Sequence, residues 1–345
     1  MSTFLAVEAV EPLRLVPPLI RRFNRSTYFP EEGLREAADA AMLVGIPLLL
    51  TGEPGTGKTS AARWLAETLK ARMLTFDVKS TTSGRDLLYT FDEVARFRDK
   101  TDDNDHPTPL IEYIQFNALG EAIIRGVGGQ AALTSVKPAA ETADRAFGTD
   151  KPAAMIAASL LPGVENFAEA KPEHCVVLID ELDKAPRDTP NDLLAEIDRM
   201  AFGIPELGIR VGDASPGEPG LRPIVIITSN SEKGLPEPFL RRCAFFDIPP
   251  PTSGRLAQIV GSIYPDIPSG SDLFVKTHAF YSRLRGAEWM QKKPATAELL
   301  AWIGCLARGG GSGFDRTIAR DSLSCMLKSV DDLREGRALF DDWKP

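Results

Sequence analysis

The sequence GEPGTGKT occupies residues 52–59 and has the spacing G-x-x-x-x-G-K-[ST] of a phosphate-binding loop. The apolar run Ile46 to Leu50 comes directly before it, and the helix-forming segment Ser60 to Glu67 follows. A strand, the loop and a helix, in this order, are the context that the motif requires. The alternative, a glycine-rich turn with an incidental lysine, does not account for both flanks. The stretch predicts a parallel α/β fold with a nucleoside triphosphate site at the loop.

The residue types of this loop suit the binding of a polyphosphate. Its glycines let successive backbone N–H groups curl around the anion, next to the positive end of a helix dipole. We expect Lys58 to reach the β- and γ-phosphates and the Thr59 hydroxyl to ligate Mg²⁺. The predicted nucleotide-binding residues are Gly52, Glu53, Pro54, Gly55, Thr56, Gly57, Lys58, Thr59 and Ser60.

A second apolar run, Val176 to Ile179, ends in the carboxylates Asp180 and Glu181. At the tip of a parallel strand, Asp180 is expected to hold the Mg²⁺ shell and Glu181 to orient or deprotonate the attacking water. The alternative is a strand whose acidic end only faces solvent. The phosphate loop earlier in the chain favours the catalytic interpretation.

Two further segments follow the same logic. The run Ile226 to Thr228 leads to Asn230, whose amide could sit between the γ-phosphate and the water because it offers both a donor and an acceptor. After a short helix begun by Pro236, Arg241 and Arg242 stand side by side. A guanidinium binds phosphate in a bidentate manner, so one of them could reach a neighbouring subunit's γ-phosphate. The alternative is a salt-bridged surface pair.

Strands alternate with helices over the first 250 residues, which predicts a parallel sheet sandwiched by helices. The predicted domains are an N-terminal arm (1–30), a nucleotide-binding core (31–250) with an insertion at about 126–172, and an α-helical domain (251–345). Pro249 to Pro251 mark the boundary. Within the core we expect a helix start or turn at Asp86 to Asp92, a solvated loop at Arg98 to Pro107 and a helix at Leu110 to Arg125. Four helices are expected beyond the boundary, at residues 256–264, 272–284, 296–307 and 318–327.

Composition limits the function classes. The 345 residues suggest about two domains, at ~100–200 residues each. Forty Lys and Arg against 48 Asp and Glu give a net charge of −8, so no global attraction to nucleic acid or to an anionic membrane is expected, although a local basic patch is compatible with it. The four cysteines form no C-x-x-C pair and are typical of buried apolar residues in a reduced compartment. Neither a secretory signal nor an apolar run near the ~20 residues of a membrane span is visible, so we expect a cytoplasmic protein.

Together these motifs resemble the AAA+ ATPases, and within them the MoxR-like branch. The matching segments are the loop at 52–59, VVLIDELDKAPRDTPNDLLAEID at 176–198, IITSN at 226–230 and EKGLPEPFLRRC at 232–243. Residues 77–82, 86–89 and 293–300 are also similar to that branch, so the resemblance covers about residues 30–310.

The resemblance implies a ring-forming ATPase, expected to be a hexamer, with ATP and Mg²⁺ at each site. It implies that Asn230 senses the γ-phosphate and that Arg241 or Arg242 acts as a finger across the subunit boundary. The C-terminal helices would form a lid, and a lid cation that touches the γ-phosphate is not obvious, with Lys292, Lys293 and Arg316 as candidates. MoxR-like proteins are similar to chaperones that remodel a partner protein, often one with a metal-dependent adhesion (von Willebrand A-like) domain.

Three alternatives stay open on the sequence. A nucleic-acid motor or restriction-type subunit is disfavoured by the acidic balance, and DNA-stimulated, salt-sensitive hydrolysis would support it. A nucleotide-gated scaffold that binds ATP without turnover is disfavoured by the intact Asp180–Glu181 pair. GTP could replace ATP, since the adenine contacts are not visible, although no guanine-reading Asn-Lys-x-Asp string occurs.

Overall fold

The computed structural model describes residues 28–101, 108–128, 171–212, 221–230, 234–310 and 313–344. Among these residues the chain divides into two compact units. The larger unit holds Pro30–Thr51 and Lys58–Asp247, and the smaller unit holds residues 28–29, Gly52–Gly57 and the chain from Ile248 onward. The smaller unit is therefore discontinuous in sequence, because most of the phosphate-loop motif belongs to it.

Nine strands lie within the described residues. In chain order they are β1 Leu48–Thr51, β2 Arg72–Asp77, β3 Tyr89–Phe91, β4 Ile114–Phe116, β5 Cys175–Asp180, β6 Phe202–Ile204, β7 Ile209–Val211, β8 Ile224–Thr228 and β9 Ala244–Asp247. Five of them form one sheet in the order β2-β5-β8-β1-β9, with every neighbouring pair parallel. The prediction of a parallel α/β fold is confirmed.

The central strands of this sheet are buried on both faces. Residues Val176 to Ile179 of β5 have no exposed surface, and neither have Ile226 and Ile227 of β8. The register pairs Leu178 with Ile226 and Ile179 with Ile227. An unbroken apolar run is what a parallel strand covered on both sides requires. The polar residues at the ends of β5 and β8, Asp180 and Thr228, consequently meet at the carboxyl edge of the sheet.

Helices flank the sheet of the larger unit. They are α1 Leu34–Val44, α2 Lys58–Thr68, α3 Glu93–Thr101, α4 Ala118–Val127, α5 Thr189–Arg199 and α6 Glu237–Leu240. Both α2 and α4 contact β2 and β5, whereas α1 contacts β1 and β9. Helix α2 starts directly after the phosphate-loop turn, and this order positions its first residues at the carboxyl edge of the sheet.

The segment around residues 84–127 differs from its predicted structure. Tyr89–Phe91 and Ile114–Phe116 form an antiparallel pair, β3 with β4, where a helix start and a continuous helix were expected. Tyr89 and Phe91 are buried while Thr90 is exposed, which is the period-two pattern of a strand. The amide of Asn117 then donates to the Thr90 hydroxyl at 2.8 Å, and the helix begins only at Ala118.

Other predicted loops fall partly outside the described residues. Helix α3 runs from Glu93 to Thr101, so the first part of the loop expected at Arg98 to Pro107 is helical. The Asp92 carboxylate accepts the Ala95 N–H at 2.8 Å and stabilises the start of this helix. Residues 102–107 lie outside the description, as do 1–27 of the predicted arm and 129–170 of the predicted insertion.

The C-terminal part of the smaller unit is built from helices in its described residues. They are α7 Ser253–Ile263, α8 Asp272–Arg285, α9 Thr296–Gly310, α10 Arg316–Asp321 and α11 Val330–Asp342, with a 3₁₀ turn at Leu323–Cys325. Phe280, Trp302 and Phe340 are fully buried, and the rings of Phe280 and Phe340 lie 4.9 Å apart at their centroids. An aromatic core of this kind holds α8, α9 and α11 together. None of the helices described in this protein has the length and apolar character needed to cross a bilayer.

The cysteines are less scattered in space than in sequence. The Sγ atoms of Cys305 and Cys325 lie 3.4 Å apart, at one end of the 3₁₀ turn. Burial raises the pKa of Cys175 to about 11 and that of Cys243 to about 12, so these two thiols stay protonated at neutral pH. All four are free thiols.

Candidate nucleotide site

The phosphate-loop turn, Gly52–Gly57, has a backbone that only glycine adopts without strain at three positions. Gly52, Gly55 and Gly57 have φ values of 138°, 77° and 97°. The Thr56 hydroxyl and backbone N–H donate to the Glu53 carbonyl at 2.9 and 3.3 Å and close the turn. A Cβ on Gly55 would lie 2.7 Å from the Ala295 Cβ, within the smaller unit. At Gly55, the positive φ and the close packing therefore both require glycine.

In the larger unit, the chain continues from this turn into α2, which begins with Lys58 and Thr59. Lys58 is only 7% exposed. Burial lowers its pKa, and the nearby carboxylates of Asp183 and Asp180 oppose that shift, with smaller contributions from Glu181 and Asp247. Lys58 thus stands at a helix start, where anions bind favourably. The carboxylates around it could hold the metal that accompanies an anionic ligand.

The larger unit brings six polar residues together at the carboxyl edge of its sheet. We call them the polar cluster: Lys58, Thr59, Asp180, Glu181, Thr228 and Asn230. The Thr59 hydroxyl donates to Asp180 Oδ2 at 3.0 Å, and the Thr228 hydroxyl donates to Asp180 Oδ1. Thr59 and Asp180 are thus in contact although 121 residues separate them in the chain.

The chemistry of these oxygens fits Mg²⁺. Magnesium is usually held by one or two protein oxygens, with water and substrate phosphates completing the shell. Thr59 and Asp180 supply one hydroxyl and one carboxylate in hydrogen-bond contact. No cluster of three or more metal-ligating side chains was found among the described residues, so a dedicated all-protein metal cage is not present in that part of the chain.

Glu181 sits at a strained backbone position. Its φ and ψ are 60° and 51°, the left-handed region that a non-glycine residue seldom occupies. Its N–H donates to the Thr228 hydroxyl at 2.8 Å, and its carboxylate accepts from Asn230 Nδ2 at 3.1 Å and from Lys184 Nζ. The Lys184 hydrogen bond is the main reason that the pKa of Glu181 lies below its ordinary value; burial opposes the shift and Asn230 adds to it. Glu181 is therefore held ionised, in a fixed direction.

Two residues of this region were not predicted from the sequence. Thr228 bridges Asp180 and the Glu181 backbone, and Asp183 accepts the Asn230 N–H at 3.2 Å through Oδ1. Asp183 is 4% exposed. Both residues stand inside the quoted motifs: Thr228 ends β8, and Asp183 lies in the 3₁₀ turn Leu182–Lys184 just after β5. Their position beside the predicted site residues is the signal that could have identified them.

The two arginines at the end of α6 make no side-chain contact with the polar cluster within the described residues. Arg241 pairs with Glu237 on the same helix, and its side chain is 76% exposed. Arg242 is exposed and has no ion-pair partner in the described part of the chain. The structure brings neither to the polar cluster of its own chain.

Of the lid cations considered from the sequence, Arg316 is already committed elsewhere. Its guanidinium donates to the carbonyls of Trp343 at 2.7 Å, Phe340 at 2.8 Å and Asp341 at 3.1 Å. These are carbonyls at the C-terminal end of α11, which a helix leaves without intrahelical partners. Arg316 thus caps a helix, and this bonding argues against a role at a phosphate.

A family model described as "AAA domain" matches residues 46–125. The matched segment contains β1, the phosphate-loop motif, α2 and β2, and it ends within α4. The match supports an ATPase of the AAA+ superfamily with a P-loop fold. No curated protein sequence matches the chain. Asp180, Glu181 and Asn230 lie beyond the matched residues, so their assignment depends on the geometry of the polar cluster.

Proposed function

We propose that the chain is a Mg²⁺-dependent ATPase whose polar cluster, together with the 52–59 loop, binds and hydrolyses ATP. The observation that supports this most directly is the contact of the Thr59 hydroxyl with Asp180 at 3.0 Å. A helix-start threonine and a strand-end aspartate side by side are the two protein ligands that P-loop NTPases use for the metal.

Each residue of the cluster then has a role that its chemistry allows. Lys58 neutralises charge on the β- and γ-phosphates, and the backbone N–H groups of the loop cradle them. Thr59 and Asp180 would hold Mg²⁺, which would neutralise negative charge on the phosphates. Thr228 keeps the Asp180 carboxylate oriented through its hydroxyl.

Glu181 is proposed as the group that orients or deprotonates the attacking water. Its ionised carboxylate can accept a proton, and the left-handed backbone at this position directs the side chain toward Asn230. Asn230 holds Oε1 by a hydrogen bond at 3.1 Å and can also report the presence of a γ-phosphate, because its amide has a second donor hydrogen.

At a finer level, we propose a ring-forming ATPase of MoxR type, with residues 31–250 as the core and 251–345 as a lid. In this proposal Arg241 or Arg242 completes the site of a neighbouring subunit. Their exposure at the end of a short helix supports an intermolecular role. In this proposal, hydrolysis drives the remodelling of a partner protein. By analogy with the MoxR-like branch, that partner would carry a von Willebrand A-like domain.

Two substitutions test the ATPase assignment. Lys58→Ala should abolish binding of a fluorescent ATP analogue, because the main phosphate cation is lost. Glu181→Gln should retain binding and lose hydrolysis by about 10²–10⁴-fold, the usual contribution of a general base. Binding is measured by fluorescence titration and hydrolysis by phosphate release.

Glu67→Gln, at an exposed position of α2, is the matched control and should behave as the wild type. Wild-type turnover in Glu181→Gln would remove that residue from the mechanism. Undiminished binding in Lys58→Ala would remove the site itself.

A further inference from the structure

Arg285, the last residue of α8, connects two segments that are far apart in sequence. Its Nη2 donates to Glu53 Oε2 at 2.7 Å, and its Nη1 donates to the Pro294 carbonyl at 2.8 Å. The guanidinium also lies 5.8 Å from the centroid of the Tyr281 ring. All four residues belong to the smaller unit. Arg285 therefore links the phosphate-loop turn, through Glu53, to Pro294, which lies just before α9.

The segment that Arg285 holds also packs directly on the turn. Ala295 Cβ approaches the position that a Cβ on Gly55 would occupy to 2.7 Å, and the backbone nitrogens of Thr296 and Ala297 lie 3.8 Å from it. The Arg285 side chain is 19% exposed, compared with 48% for Glu53. A largely buried guanidinium that donates to one carboxylate and one carbonyl is held in place. An exposed surface ion pair is held much less firmly.

Glu53 is the one acidic residue of the 52–59 loop. A carboxylate in a loop that binds a polyphosphate repels the ligand, since like charges at close range are unfavourable. The ion pair with Arg285 offsets that repulsion, and it attaches the loop to α8 through the Glu53 carboxylate. The three glycines leave the turn with much conformational freedom, and a side-chain anchor would restrict it before the ligand arrives.

We propose that Arg285 is a positioning residue for the phosphate loop, which it holds in its binding conformation through the Glu53 carboxylate. The proposal rests on the proposed nucleotide site at the 52–59 loop and deepens it. Arg285 acts on the loop and does not itself contact the phosphates. The consequence is that nucleotide affinity depends on the ion pair between Arg285 and Glu53.

Glu53→Gln gives a test in which two explanations predict opposite signs. If Glu53 is only a negative charge near the ligand, its neutralisation must tighten nucleotide binding. If Glu53 is the point at which Arg285 holds the loop, its neutralisation must weaken binding. We expect about fivefold weaker binding of N-methylanthraniloyl-ADP with Mg²⁺, the scale of a charge-assisted hydrogen bond within a network.

The partner variants complete a double-mutant cycle on the full chain. Arg285→Met should weaken binding about tenfold, and Arg285→Lys, which keeps one donor to Glu53, should recover part of the loss. Glu53→Gln with Arg285→Met should bind no more weakly than Arg285→Met alone, because both changes break one contact. Tighter or unchanged binding in Glu53→Gln, or fully additive losses in the double variant, would overturn the proposal.

Arg320→Met is the matched control. Arg320 forms a two-armed pair with Asp341 at 2.5 and 2.8 Å, also in the smaller unit. Its loss should leave nucleotide affinity unchanged, and the thermal midpoints of both variants show how far each substitution affects folding. If Arg320→Met weakens binding equally, the Arg285 effect is general destabilisation and the proposal fails. A wild-type protein that binds no nucleotide would instead contradict the proposed function.

Discussion

Lys184 and Asn230 act on the charge of Glu181 in the same direction. Both donate to its carboxylate and stabilise the ionised form, and Lys184 makes the larger contribution. A carboxylate with a lowered pKa is a weaker base than a free one. Lys184 thus keeps Glu181 ionised and directed at the cost of some basicity.

This arrangement predicts a change in the pH dependence of hydrolysis. Glu181 must be ionised to accept a proton, so the rate falls as the pH drops through its lowered pKa. Lys184→Met removes the main cause of that lowering, so the acidic limb of the rate profile should move to higher pH. Initial rates of phosphate release across the acidic range measure the shift.

Lys276→Met is the control for this experiment, because Lys276 forms a comparable pair with Asp272 in the smaller unit. It should leave the acidic limb in place. An acidic limb that Lys184→Met does not move would show that Glu181 is not the group titrating in the rate.

The sequence predicted which residue types stand at the strand ends, because each apolar run ends at a polar residue. It did not predict Thr228 as the partner of Asp180. That pairing depends on the register of β5 with β8, in which Ile179 lies opposite Ile227 and the next residues along are therefore neighbours. Register between distant strands is set by packing across the sheet and is not visible in either strand alone.

At the scale of elements, two helical glycines have opposite surroundings. Gly120, near the start of α4, packs so closely on the backbone just before β3 that a Cβ would lie 2.0 Å from the Leu88 carbonyl oxygen. Gly261, in α7, would place a Cβ in open space. The first glycine permits a close approach of backbones, and the second serves no visible packing purpose.

The same substitution at these two positions should change stability in opposite directions. Gly120→Ala forces α4 away from Leu88 and should destabilise the larger unit by about 1–3 kcal/mol, the usual cost of overpacking. Gly261→Ala should stabilise α7 by about 0.5–1 kcal/mol, because alanine loses less backbone entropy in a helix. Denaturant unfolding followed by circular dichroism measures both, each serving as control for the other. Equal effects of the two substitutions would contradict the packing argument.

The long elements were predictable and several short ones were not. Strands β5 and β8 and helices α2 and α8 have sustained apolar patterns, and their predicted positions agree with the structure within a few residues. Strands β3, β4 and β9 have three or four residues each, too few to establish a period, and they exist because a partner strand pairs with them. Helix α11 was not predicted because charged residues dominate it; Ser329 caps its start by accepting the Asp332 N–H at 3.0 Å.

At the scale of the whole molecule, the proposed ring requires a site shared between copies of the chain. Arg241 and Arg242 are exposed and do not contact the polar cluster of their own subunit within the described residues. A guanidinium supplied by a neighbour is a known way to stabilise the charge of phosphoryl transfer. Hydrolysis by such an assembly must depend on protein concentration.

A mixing experiment tests this dependence. The double variant Arg241→Ala, Arg242→Ala should keep nucleotide affinity and lose hydrolysis by about 10³-fold or more, the scale of an arginine finger. Mixed with Lys58→Ala, it should regain turnover, because intact loops then meet intact arginines across a boundary. Arg334→Ala, an exposed arginine of α11, is the control and should keep wild-type turnover. A mixture no more active than its parts would contradict the shared site.

The sequence discontinuity of the smaller unit has a practical consequence for dissecting the protein. The six-residue turn leaves the larger unit after Thr51 and returns at Lys58, and in between it rests against Arg285 and Ala295. A truncation after Asp247 would therefore remove the scaffold on which the turn is built, and a fragment that starts at Ile248 would expose the surface that the turn covers. Neither piece is a self-sufficient module, and biochemical work on either half should begin from the intact polypeptide.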